Sequence, residues 1–107
     1  IIQTSVLTKV ILALKEHQGL PGVTGSEVKG FGKSRAEDAR EKMTHESVNY
    51  ARKAKLEIVV SDSAWKEVAE LIRKTAHTGS SGDGKIFVYD VAEVFKISTG
   101  EKGDKAI

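Results

Sequence analysis

Apolar positions along the chain fall into two helical stripes and a set of short extended runs. Leu7, Ile11 and Leu14 recur at helical spacing, with Ser5 or Thr8 as the expected cap and Gly19 and Pro21 as the stop. Trp65, Val68, Ala69, Ile72 and Ala76 form the second stripe, expected to begin at an Asp62 cap and to end at Gly79. Its last turn carries Arg73, Lys74 and His77, which suit the negative end of a helix dipole. Strands are predicted at Val23–Phe31, Lys55–Val60, Lys85–Tyr89 and Val94–Ser98. Ile1-Ile2 runs straight into the first helix and reads as the tail of a further strand, as if the chain began within an element. The order is β-α-β-β-α-β plus a short C-terminal strand. That is an α+β class, a ferredoxin-like βαββαβ sandwich with an antiparallel sheet, built as one domain over residues 1–107.

The strand runs carry a second message. Ile86-Phe87-Val88-Tyr89 is continuously apolar or aromatic, and Leu56–Val60 is nearly so, which suggests strands covered on both faces. A domain of this size buries only about two thirds of its unfolded surface. Helices cover one face, so the other is expected to be covered by another copy of the chain. Residues 33–53 interrupt the pattern. Arg35, Glu37, Asp38, Arg40, Glu41 and Lys42 dominate this stretch, and its apolar side is little more than Ala36, Ala39, Met43 and Val48. A connection this long in a compact domain is usually functional or disordered. A charged helix is one reading; the favoured one is a long mobile loop with transient helix.

Composition narrows the function classes. Charged residues make up 30% and apolar residues 39%, which excludes a wholly disordered chain. The absence of cysteine removes disulfide frameworks and thiolate zinc sites, and fits a reducing, cytoplasmic setting. A net charge of +2 gives no basic footprint for nucleic acid. The longest apolar run, Val10–Leu14, is too short to span a bilayer, and no basic-then-apolar leader opens the chain. His17, His45 and His77 share no metal-ligand spacing. No G-x-S-x-G context and no carboxylate pair in an apolar setting is present, so the chain is not read as an enzyme.

One segment concentrates the remaining chemistry. Thr78-Gly79-Ser80-Ser81-Gly82-Asp83-Gly84-Lys85 sets three glycines, three hydroxyls and a lysine close together. Glycines reach positive φ and let several N–H groups converge on one anion. The same string also suits a helix-to-strand turn that binds nothing. Gly79 to Lys85 satisfies G-x-x-x-x-G-K, but Ile86 replaces the Ser/Thr of a P-loop, and the segment leads from a helix into a strand instead of the reverse. Glu27-Val28-Lys29-Gly30-Phe31-Gly32 is a second candidate, its glycines marking either a close approach or a bulge.

These motifs, together with Leu56-Glu57-Ile58-Val59-Val60 and Thr99-Gly100-Glu101, stand in the order and spacing of the PII nitrogen-regulatory signal-transduction proteins, which the chain resembles over nearly its whole length. The resemblance implies a homotrimer with a nucleotide site in each cleft between neighbours, where ATP and ADP compete, with or without Mg. Gly82, Asp83, Gly84 and Lys85 would hold phosphates. Thr24, Gly32, Lys33, Ser34, Glu57 and Val59 would line the rest of the site, and Lys96 and Ser98 would reach the phosphates from the neighbouring subunit. Residues 33–53 would be the loop that docks onto a target membrane transporter or enzyme and changes shape with the bound nucleotide.

The departures mark a divergent PII-like member. Lys96 and Ser98 stand where the family has an arginine pair, which implies weaker triphosphate binding. Ser34 replaces the glutamine that helps hold magnesium and 2-oxoglutarate, so 2-oxoglutarate is not expected in its usual geometry. Glu46 replaces the uridylylated tyrosine, and Gln3-Thr4-Ser5-Val6 replaces Lys-Pro-Phe-Lys. The alternative to a nucleotide-reading regulator is a ligand-free interaction module linked to metal-efflux or carbon-uptake systems.

Overall fold

The computed structural model describes residues 1–31 and 50–107. The chain runs through β1 (Ile2–Gln3), a 3-10 turn (Thr4–Val6), α1 (Leu7–Glu16), β2 (Thr24–Gly30), β3 (Ala51–Glu57) and α2 (Trp65–Ala76), with a final 3-10 turn at Gly103–Ala106. The strands form an antiparallel sheet in the order β1-β3-β2. Ile2 pairs with Ala54, and β2 pairs with β3 in one unbroken register from Thr24↔Glu57 to Gly30↔Ala51. There is therefore no bulge at Gly30, and nothing lies within 4 Å of a side chain built there.

Residue alternation sorts the sheet into two faces. Ile2, Ala54 and Leu56 face the helices. Val10 and Leu14 of α1 and Val68, Ile72 and Ala76 of α2 close on them, and with Ile2 and Ala54 make up the buried core. Both described helices thus lie on one side. Gln3, Lys53, Lys55, Glu57 and Thr24 alternate onto the opposite side, which no helix among the described residues covers. Leu14 has no exposed surface. Leu14→Ala is expected to lower unfolding free energy by about 2–5 kcal/mol in a denaturant titration, from lost transfer energy plus a residual cavity.

Several local expectations are corrected. Neither Ser5 nor Thr8 caps α1, which begins after Val6 with no side-chain cap because a 3-10 turn feeds it directly. Asp62 does not cap α2 either: the helix starts at Trp65, after a turn in which the Ala64 N–H donates to the Ser61 carbonyl. The same helix ends at Ala76, where His77 turns to extended backbone, so Gly79 is not its stop. β3 starts at Ala51 and ends at Glu57, earlier at both ends than Lys55–Val60. Its first residues are short or charged and carry no apolar signal; the ladder to Val28–Gly30 makes them strand.

Lys85–Tyr89 and Val94–Ser98 are not laddered strands in the single chain. Gly84 bridges Ile2, the Lys85 N–H donates to the Ile1 carbonyl at 3.0 Å, and the Ile1 nitrogen donates back to the Lys85 carbonyl at 2.8 Å. This places the segment on the free edge of β1, the fourth position of a ferredoxin-like sheet. Val94–Ser98 instead folds against residues 101–103 through a Phe95↔Lys102 bridge and an N–H···O bond of 2.8 Å from Lys96 to Glu101. Gly100 and Gly103, both at positive φ, bend it back. No helix among the described residues is long and apolar enough to cross a membrane.

Candidate functional site

The 78–85 segment leaves α2 and closes on itself before joining the edge of β1. Asp83 organises it. Its carboxylate accepts from the Thr78 N–H at 2.7 Å, the Gly79 N–H at 3.0 Å, the Thr78 hydroxyl and the Gln3 amide nitrogen at 2.9 Å. Thr78 Oγ1 also accepts from the Ser80 N–H, Ser80 Oγ from the Gly82 N–H, and the Ser80 carbonyl from the Asp83 N–H. The N–H groups of Ser81 and Gly84 have no partner among the described residues. The three-glycine cradle expected from sequence is thus narrower than its N–H count, since most of those donors hold the loop together.

The glycines divide by role. Gly79 and Gly84 sit at positive φ, while Gly82 does not. A side chain at Gly84 would meet the Ile1 carbonyl oxygen at 1.9 Å, so glycine there allows the close backbone approach that seats the loop against β1. Lys53 contributes a strut that the sequence reading left inside the mobile loop. Its Nζ donates to the Gly82 carbonyl at 2.6 Å. Gln3 and Lys53 are cross-strand partners, so one pair on the uncovered face grips the loop at two points. The register of β1 and β3 was the signal that would have found both.

The Thr78 hydroxyl, then the Thr78 and Gly79 amides and the charge of His77, hold the Asp83 carboxyl below the usual carboxylate range, against partial burial that raises it. The charged form therefore stabilises the fold above an unfolded aspartate's pKa of about 4, and that contribution is lost as pH falls through the lowered value. Asp83→Asn is expected to flatten the acid side of a stability-versus-pH profile measured by urea unfolding.

The remaining candidates fall into separate groups. Thr24 and Glu57 face each other across the ladder on the uncovered side, with Lys55 Nζ 3.2 Å from the Glu57 carboxylate, and Val59 lies exposed just beyond β3. Glu57 is four positions after Lys53 in β3, roughly 13 Å of strand. Lys96 and Ser98 lie exposed in the C-terminal turn. Gly32, Lys33 and Ser34 lie outside the described residues, as does most of the 33–53 stretch. A cavity of about 350 Å³ between Ile72, Ala76 and Lys85 opens on the helix side and does not touch Thr24 or Glu57. Among the described residues no His, Asp or Glu cluster could hold a metal ion.

Residues 1–101 match the family model "Nitrogen regulatory protein P-II". The chain belongs to the nitrogen regulatory protein P-II family. Over all 107 residues of this P-II chain, 44% are identical in the nitrogen regulatory protein P-II of Klebsiella oxytoca and 43% in that of Azospirillum brasilense, covering 95% of each relative. Nitrogen regulatory protein P-II 1 of Escherichia coli K12 is 44% identical over the same span. The crystal structure of Arabidopsis thaliana PII bound to citrate superposes with a TM-score of 0.78 and 37% identity, covering 99% of this chain and 85% of that one. The ferredoxin-like α+β class is that of the family, and P-II membership makes the chain a signal-transduction regulator.

Proposed function

We propose that the chain assembles as a homotrimer, binds ATP or ADP in the clefts between subunits, and controls a membrane transporter or an enzyme through the stretch of residues 33–53. The observation that carries this reading is the 78–85 loop: a built, glycine-seated segment whose Ser81 and Gly84 N–H groups have no partner among the described residues, with an exposed lysine at its end. An anionic ligand with several acceptor oxygens matches that donor set. The uncovered sheet face supports an assembly, because Thr24, Glu57 and Lys53 lie on it beside a surface that a second copy would close.

Phosphates would meet Ser81, Gly84 and Lys85. Adenine and ribose would lie toward Thr24, Glu57 and Val59, with Gly32, Lys33 and Ser34 beside them and Lys96 and Ser98 entering from a neighbour. Magnesium would ride on the phosphate oxygens. Regulation follows from population shift: a nucleotide that favours one conformation of the docking loop changes its affinity for a target by the same free energy with which the target changes nucleotide affinity. The docking loop ends before Ala51, since Ala51–Lys53 already belong to β3.

Titration calorimetry with ATP and ADP tests the reading, and binding of neither near millimolar concentration contradicts it. Restoring the second cation adds a graded check. Ser98→Arg is expected to tighten ATP about tenfold, as a new charge-assisted contact does, and ADP by less. Lys96 and Ser98 also motivate the second reading, an interaction module without a ligand. Excess absorbance at 260 nm in purified protein, from retained nucleotide, would argue against that module.

A further inference from the structure

We infer that Asp83 is a positioning residue of the phosphate loop: its carboxylate does not meet the ligand but ties Thr78, Gly79 and Gln3 together so that the Ser81 and Gly84 N–H groups and the Lys85 ammonium are left for phosphate. The inference deepens the nucleotide-binding reading above and rests on it.

A carboxylate within an anion-binding loop is a liability by Coulomb's law, since it repels the charge the loop must hold. The structure removes that liability by occupying the carboxylate. One oxygen accepts from the Gln3 amide and the Thr78 hydroxyl, the other from the Thr78 and Gly79 N–H groups, with His77 Nδ1 3.7 Å away. The donors come from the start of the segment and from β1, while the carboxylate itself stands near the segment's other end. The carboxylate therefore closes residues 78–83 into a ring and anchors that ring to the sheet. Without it, the Thr78 and Gly79 N–H groups would themselves become anion donors and the loop would lose its fixed shape. The family resemblance groups Asp83 with the phosphate contacts; the proposal gives its side chain a positioning task, on the hydrogen bonds it accepts within the loop and from Gln3.

Asp83→Asn keeps the shape but leaves one acceptor oxygen for donors that two oxygens now serve. Calorimetry on the intact assembly is expected to show ADP weakened about tenfold and adenosine, which lacks phosphate, unchanged. Tighter ADP binding by the variant would mean that Asp83 faces the phosphates and repels them, and would overturn the proposal. Equal ADP affinity would overturn it as well. Amide hydrogen exchange on the wild-type protein tests the ring without any variant: Thr78 and Gly79 should exchange more slowly than Ser81 in the same loop. Equal rates would overturn the proposal even if Asp83→Asn fails to fold. A wild type that binds neither ADP nor adenosine overturns the nucleotide reading instead, and the exchange rates still report on the ring.

Discussion

Phe87→Asp is expected to convert the assembly to monomers in sedimentation experiments at micromolar concentration. Ile86 lines the helix-side cavity, so alternation turns Phe87 and Tyr89 onto the uncovered face of the sheet. Phe87 is 58% exposed and Tyr89 77% in the single chain, and Ile97 is wholly exposed. Isolated apolar side chains on a surface need no explanation, but this run occupies the free edge of a sheet whose other face carries the core, on the side that no described helix covers. Its covering by another copy would bury aromatic groups that dominate interface energetics. An aspartate there would either be desolvated without a partner, at a cost of several kcal/mol, or prevent closure. The substitution touches no core residue, so the far-ultraviolet spectrum should keep its helical content. A persistent trimer in the variant would remove the covered-face argument.

Lys85→Ala is the second large effect. The ammonium is the one cation the loop carries itself, and no ion pair involves it among the described residues. The backbone of residue 85 holds the loop to Ile1 through both its N–H and its carbonyl, and alanine preserves both bonds. Removal of a charge-assisted phosphate contact is worth about 1.5–3 kcal/mol, or about ten- to a hundredfold in affinity. ATP should be weakened most and adenosine not at all. Calorimetry with the three ligands separates this result from general damage, which would weaken adenosine too. Unchanged ATP affinity would take Lys85 out of the site.

The sequence made the fold class legible because two amphipathic stripes and the glycine-bounded runs survive any uncertainty about their ends. Boundaries were harder, for identifiable reasons. Ala51-Arg52-Lys53 has no apolar pattern, and only its ladder to Val28–Gly30 makes it strand. Ile86–Tyr89 has a strong pattern but no ladder: the edge contacts are those of Gly84 with Ile2 and of Lys85 with Ile1. Both helices begin without the side-chain caps their sequences offer, because local turns already set their entry.

The site shows the same division. Thr78–Lys85 stood out by composition, and Lys85 ends the loop as expected. The inward use of Asp83 depends on Gln3, eighty residues away in sequence, and on the closing of the loop itself. The contribution of Lys53 depends on register, which sets it opposite Gln3. Neither relation is written in local spacing. The family resemblance placed Thr24, Glu57 and Val59 in one site with the phosphate loop, while the single chain holds Glu57 and its ladder partner Thr24 roughly 13 Å from Lys53, with Val59 just beyond the strand. A ligand that uses both groups must lie along the uncovered face.

Native mass spectrometry of the purified chain in a saturating concentration of ADP tests the central claim most directly, because assembly and ligand count are read in one spectrum. The account predicts a trimer carrying up to three nucleotides. A monomer, or a trimer that stays free of nucleotide, would contradict it.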